Sequence, residues 1–214
     1  MLIEQAGFYN ETGLFVTETM KKNRFCHDPK ILRRYPRTLL PIYLRRLPLC
    51  DYEIITDELC ATLGGVISEL EGDQRFVDIY DFLDQLQPRI FHMNGSVRGR
   101  QAIFEQQIQW LAGYFDHYQQ EIEGQLHGFV LPRGGRPVQL LHSCRSLSKK
   151  AVRALVKVDA HGIEVPDELH RFGNMLCNLF FRLTVVINRR LGIVEPEYQS
   201  LSYNLKPPSR KEQQ

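Results

Sequence analysis

Residues 104–122 read FEQQIQWLAGYFDHYQQEI. The large apolar side chains Phe104, Ile108, Leu111, Phe115, Tyr118 and Ile122 follow one another at alternating intervals of four and three residues. That spacing gathers them on one stripe of an α-helix, in the seven-residue rhythm with which helices pack along each other. A half-buried strand would alternate with period two, and the stretch does not. Gly124 and Gly128 mark the end of this helix.

The same period recurs on both sides. Upstream, Ile55, Leu59, Leu63, Val66 and Leu70 form one helical face. Thr56 reads as its N-cap, Asp57 and Glu58 occupy the first turn where the dipole favours acids, and Gly72 closes it. Phe76, Ile79, Leu83 and Leu86 predict a second helix that Pro88 stops, with Asn94-Gly95 as a turn. Downstream, a fourth helix begins near Pro137 and buries Leu140, Cys144, Leu147, Ala151 and Val158. A fifth runs from Asp167 to Arg190, with Leu169, Phe172, Leu176, Leu179, Leu183 and Val186 as its stripe. The expected fold is all-α, a five-helix bundle over residues 51–193. An irregular N-terminal arm, residues 1–50, precedes it, because prolines at 29, 36, 41 and 48 oppose a long helix. A C-terminal tail, residues 194–214, holds Pro207-Pro208 and a polar end, and reads as loose.

The 214 residues carry 27 basic and 25 acidic side chains, a net charge of +2. So even a balance gives no global field for nucleic acid or a membrane surface, and any basic site is local. Five widely spaced cysteines without a C-x-x-C argue against a disulfide framework or a zinc cluster, and no histidine has metal-ligand spacing. The N-terminus lacks the basic start and apolar stretch of a signal peptide. The most apolar window, 176–187, is interrupted by Asn178 and Arg182. The expectation is a reduced, cytoplasmic protein without membrane or nucleic-acid partners.

Chemistry concentrates on the fourth helix. His142, Arg145, Lys149 and Arg153 lie three, four and four residues apart and share one face, with Lys150 beside it. Like charges so arranged repel and cost stability unless something anionic sits opposite. The face is either solvated with a partner acid on another helix, or a site for a polyphosphate or other anion, which forked arginine donors suit. Gly134-Gly135 just upstream allows close backbone approach, and the helix start behind it offers free N–H groups. There is no G-x-x-x-x-G-K-[ST], H-E-x-x-H or G-x-S-x-G.

Residues 129–153, FVLPRGGRPVQLLHSCRSLSKKAVR, resemble the signature of the trimeric ATP:cob(I)alamin (corrinoid) adenosyltransferases, F-[IV]-L-P-x-G-G, a spacer, L-H-x-[AC]-R, then R-R-A-E-R. Phe129, Leu131, Pro132, Gly134, Gly135, Leu141, His142, Cys144, Arg145, Ala151 and Arg153 match without a gap. Thr56-Asp57-Glu58-Leu59 with Leu63-Gly64 is similar to the family's D-E-L-N-S-x-L-G, and Leu169-His170-Arg171-Phe172 with Leu176 to its L-N-R-L-S-D-x-L. The likeness spans about residues 50 to 190.

The resemblance implies a homotrimer of five-helix bundles with active sites between subunits. The enzyme transfers the 5′-deoxyadenosyl group of ATP to the cobalt of a reduced corrinoid, giving adenosylcobalamin and triphosphate. By this resemblance Phe129 lies against the corrin and displaces its lower ligand. Arg145 binds ATP and pairs with Asp57 of a neighbouring subunit, and these two carry catalysis. Lys149, Arg153 and His170 join Arg145 around the triphosphate, with Mg2+ accompanying ATP. No metal is expected to be held by the protein itself.

The chain also departs from the pattern. The family's N-terminal ATP loop, T-x-T-G-D-x-G-x-T, has only Asn10-Glu11-Thr12-Gly13-Leu14 to compare with it. R-R-A-E-R reads Lys149-Lys150-Ala151-Val152-Arg153, and His170, Gly173 and Asn174 replace Asn, Ser and Asp. These changes keep a second expectation open, a non-catalytic homologue that binds a corrinoid or nucleotide as carrier, sensor or structural partner.

Overall fold

The computed structural model describes residues 8–9, 15–16, 48–124 and 130–199. Among them are five α-helices, α1 (Pro48–Leu70), α2 (Val77–Ser96), α3 (Glu105–Glu121), α4 (Arg136–Ala160) and α5 (Asp167–Arg190). A short 3-10 turn, Gln74–Phe76, leads into α2. Most of the expected arm lies outside the described residues. Within it, β1 (Phe8–Tyr9) and β2 (Phe15–Val16) pair antiparallel, Phe8 opposite Val16 and Tyr9 opposite Phe15. Such two-residue strands are too short to show an alternating pattern in sequence.

Helix α4 is central. It packs most extensively on α1 and then on α5, while α2 flanks α1 and α3 flanks α5. An aromatic cluster joins the two flanking helices. Phe82 of α2 lies 4.3 Å from Tyr114 and 5.5 Å from Trp110 of α3, centroid to centroid. One continuous core runs through all five helices.

Four local expectations are corrected. Thr56 is not an N-cap. Helix α1 begins two turns earlier, at Pro48, and the buried Thr56 hydroxyl donates to the Tyr52 carbonyl at 2.8 Å. Pro88 does not stop α2, which continues to Ser96. Proline removes the bond to the carbonyl four residues back and costs about 3 kcal/mol. Burial of Ile90 and Met93 beyond it outweighs that at roughly 1.5–3 kcal/mol each. Pro88 is exposed, so water can reach the freed carbonyl. Asn94-Gly95 is accordingly helical rather than a turn, and Asn94 donates to Thr56 Oγ1 at 2.6 Å. Finally, Phe104 is not core. It is the 50% exposed N-cap residue of α3, and its backbone N–H donates to Gln107 Oε1 at 2.9 Å.

The buried side of α4 is Val138, Leu141, Cys144, Ser148, Ala151, Leu155 and Val158, with Leu147 and Ala154 beside it. Leu140, expected there, is half-buried. Because α4 is covered on two sides, its buried face is wider than an outer helix would have. It admits Ser148, whose hydroxyl is satisfied by the Cys144 carbonyl at 2.9 Å.

Two polar clusters clamp the ends of the bundle. At one, Arg190 of α5 reaches Asp78 of α2 at 2.6 Å, Glu121 of α3 at 2.7 Å and the Arg75 carbonyl at 2.9 Å. At the other, Arg98 pairs with the buried Glu53, and Tyr52 donates its hydroxyl to the Met93 carbonyl at 2.7 Å. Among the described residues no helix is long and apolar enough to cross a membrane.

Candidate active site

The loop ahead of α4 is fixed in place by its neighbours. Asn188, near the end of α5, donates Nδ2–H to the Arg133 carbonyl at 2.8 Å. Leu131 N–H donates to the Pro196 carbonyl at 2.8 Å, and Val130 bridges Glu197. Residues 195–197 of the expected tail are thus docked, because backbone groups of the two segments satisfy each other, while Pro207-Pro208 and the polar end lie outside the described residues. Gly134 has φ of 150°. A Cβ there would meet Asn188 Oδ1 at 2.5 Å and Val138 Cγ1 at 2.7 Å, so only glycine fits.

Behind this loop α4 starts at Arg136, with Pro137 in its first turn as the sequence predicts. Helices α4 and α5 run antiparallel in a register fixed by three contacts. Gly134 and Val138 lie beside Asn188, Arg145 beside Phe181, and Val152 beside Gly173. The basic stripe therefore runs along the α4–α5 seam.

Its members differ in burial. His142 and Arg145 are half-buried, while Lys149 and Arg153 are exposed. The Arg145 guanidinium sits 5.4 Å over the Phe181 ring, and its Nε is buried without a hydrogen-bond partner. Both ring nitrogens of His142 are likewise buried and unpartnered. Burial, and after it the charge of Arg145, hold His142 below its ordinary pKa and so favour the neutral ring. The Cys177 thiol is pushed up by burial, against the opposing pull of Lys149 and Arg145, which places both cations near that point of α5. No acid of the chain neutralises Arg145, Lys149 or Arg153 through an ion pair among the described residues. Of the two readings open for this face, an acid on a neighbouring helix is therefore not the one seen within the chain.

The remaining site residues are placed as follows. Asp57 is exposed on α1 and makes no ion pair with Arg145 within the chain. His170 is half-buried in the first turn of α5, at the far end of the seam. Phe129 and the Thr12-Gly13 segment lie outside the described residues. Among those residues no group of three or more His, Cys, Asp or Glu side chains could hold a metal ion. Sequence reasoning missed Asn188 and Glu195. Periodicity reads Asn188 only as a polar end to an apolar stripe, and Glu195 belongs to no helix at all.

The described residues thus form a five-helix bundle with a cationic seam, free of acid partners among them, beside a glycine turn. The chain belongs to the cobalamin adenosyltransferase family, whose pattern it matches over residues 55–187. It is 30% identical to the corrinoid adenosyltransferase of Bacillus subtilis (strain 168) over 148 residues, which are 67% of this chain and 76% of that protein. It is 32% identical to the cobalamin adenosyltransferase of Cupriavidus metallidurans over 139 residues, 64% of this chain and 72% of the relative. The fold is similar to that of a variant PduO-type ATP:corrinoid adenosyltransferase from Lactobacillus reuteri complexed with cobalamin and ATP. That likeness has a TM-score of 0.63 at 20% identity and covers 72% of this chain and 88% of the other. A further variant of the Lactobacillus reuteri enzyme, complexed with ATP, gives 0.62 at 21% identity, covering 72% and 89% of the two chains.

Proposed function

We propose that this protein transfers the 5′-deoxyadenosyl group of ATP to the cobalt of a reduced corrinoid, forming adenosylcobalamin and triphosphate. Family membership supports the reaction. The observation that carries it to this site is the α4 seam, where Arg145 Nε and both His142 nitrogens are buried and unpartnered beside the Gly134-Gly135 turn. Buried polar atoms without partners are costly in a finished fold and are explained by a ligand that completes them.

In this reading the Co(I) ion of the substrate attacks C5′ of ATP. The Co–C bond forms as the C5′–O bond breaks, and triphosphate leaves with the bonding pair. The chain's part is to orient ATP and to hold the charge that develops on the leaving group. Arg145 is the fixed donor, with its guanidinium held over the Phe181 ring. Lys149 and Arg153, exposed along the same face, supply charge to the phosphates, and His170 a further donor. Mg2+ accompanies ATP as its counter-ion. Phe129 is assigned to the corrin face. Asp57 is assigned to Arg145 of an adjacent subunit in a homotrimer, and its exposure leaves it available for that contact. The protein is assigned to the cytoplasm, where ATP is supplied.

Incubation with ATP and chemically reduced cob(I)alamin, followed by the visible spectrum, tests the activity. A Co–C product is expected. Corrinoid or ATP binding without that product would establish the non-catalytic reading instead. Light scattering at micromolar concentration is expected to give three subunits per particle, and a clean monomer would remove the intersubunit pair.

A further inference from the structure

Glu195 sits where the loop, α4 and the segment after α5 meet. Its Oε1 accepts the Arg133 N–H at 3.1 Å and lies 3.9 Å from His142 Nε2. Its side chain is only 8% exposed. The carbonyl of the same Arg133 is taken by Asn188. Both backbone polar groups of one loop residue, Arg133, are therefore held by side chains distant in sequence, directly before the constrained Gly134. His142 Nε2, at 3.9 Å, is beyond hydrogen-bond reach of this carboxylate and keeps no partner in the chain.

We propose that Glu195 is a positioning residue of the site, fixing the loop backbone at Arg133 ahead of the Gly134-Gly135 turn. This role rests on the adenosyl-transfer reading, since it is the ligands of that reaction that the loop and His142 would meet. What matters is the acceptor oxygen rather than the negative charge. Glu195→Gln keeps the oxygen and Glu195→Ala removes it.

The test is amide exchange on the full chain without ligand, paired with turnover. In Glu195→Ala the Arg133 amide should exchange about tenfold faster, in Glu195→Gln within about threefold of wild type, while amides in mid-α4 stay unchanged. With ATP and cob(I)alamin, kcat/KM should fall about tenfold in Glu195→Ala and recover in Glu195→Gln. Wild-type exchange at Arg133 in Glu195→Ala or no rescue by glutamine would overturn the proposal. Exchange is read without substrate. Absence of a Co–C product from wild type would therefore sink the reaction while the exchange measurement still decided the anchoring.

Discussion

The Cγ2 methyl of Val152 on α4 lies 2.9 Å from where a Cβ on Gly173 of α5 would stand. The two helices meet there only because position 173 has no side chain. Both positions depart from the signature that the sequence resembles, which has Glu at the first and Ser at the second, and the two departures meet in one contact.

Gly173→Ser should therefore destabilise the bundle by about 1–3 kcal/mol, because Val152 is short and stiff and has no flexible end to move aside. Val152→Ala should relieve most of that cost. Urea unfolding of the two single variants and the double should show a coupling of about 0.5–3 kcal/mol. Additive single effects would show that the contact is not shared.

Arg190 makes a different kind of link, one that three helices depend on. Its bonds to Asp78 and Glu121 join α5 to α2 and α3, with its side chain 20% exposed. Arg190→Lys keeps the charge but cannot serve both carboxylates with a planar fork. A fall of about 1–3 kcal/mol is expected, larger for Arg190→Ala, which strands both acids. Thermal unfolding checks it, and an unchanged midpoint in Arg190→Ala would show that the staple contributes nothing.

The helical stripes around Leu111, Cys144 and Leu176 were legible because a core-facing helix must repeat its apolar residues at its own period. The family signature in 129–153 was legible because glycine, proline and arginine there answer to a turn, a helix start and an anion. Pro88 misled because local propensity is weaker than the burial of Ile90 and Met93. Thr56 misled because a hydroxyl can satisfy itself on the preceding turn as readily as cap a helix. Glu195 and Asn188 were illegible for another reason. Their partner is Arg133, 62 and 55 residues away, and no local pattern encodes such a contact.

His142 gives a pH dependence with a definite sign. Burial and Arg145 place its folded-state pKa below the ordinary 6.5 of the unfolded chain. Between those two values the unfolded state binds the proton and the folded state resists it. The neutral ring's contribution to stability is thus fully present above 6.5 and is lost as pH falls toward the folded value. Denaturant midpoints measured from pH 7.5 to 5 should decline in wild type and decline less in His142→Gln. Parallel curves would place the titration elsewhere.

In the proposed reaction Arg145 is the donor to the leaving group. Its guanidinium is held over Phe181, its Nε has no hydrogen-bond partner, and no acid among the described residues makes an ion pair with it. Arg145→Lys preserves the charge, so attraction for the triphosphate persists. It loses the fork that could hold a phosphate oxygen and the Asp57 carboxylate of a neighbouring subunit at once. A charge-assisted hydrogen bond is worth about 1.5–3 kcal/mol, so kcat/KM should drop roughly tenfold to a hundredfold. Arg145→Ala should lose more, because it removes the leaving-group donor and also leaves Asp57 without a counter-charge. If Arg145 only bridged subunits, both variants would lose trimer and thermal stability while the surviving trimers kept their rate. Turnover normalised to trimer, measured by light scattering on the assayed sample, separates the cases. Near-normal turnover in Arg145→Ala trimers would sink the catalytic role.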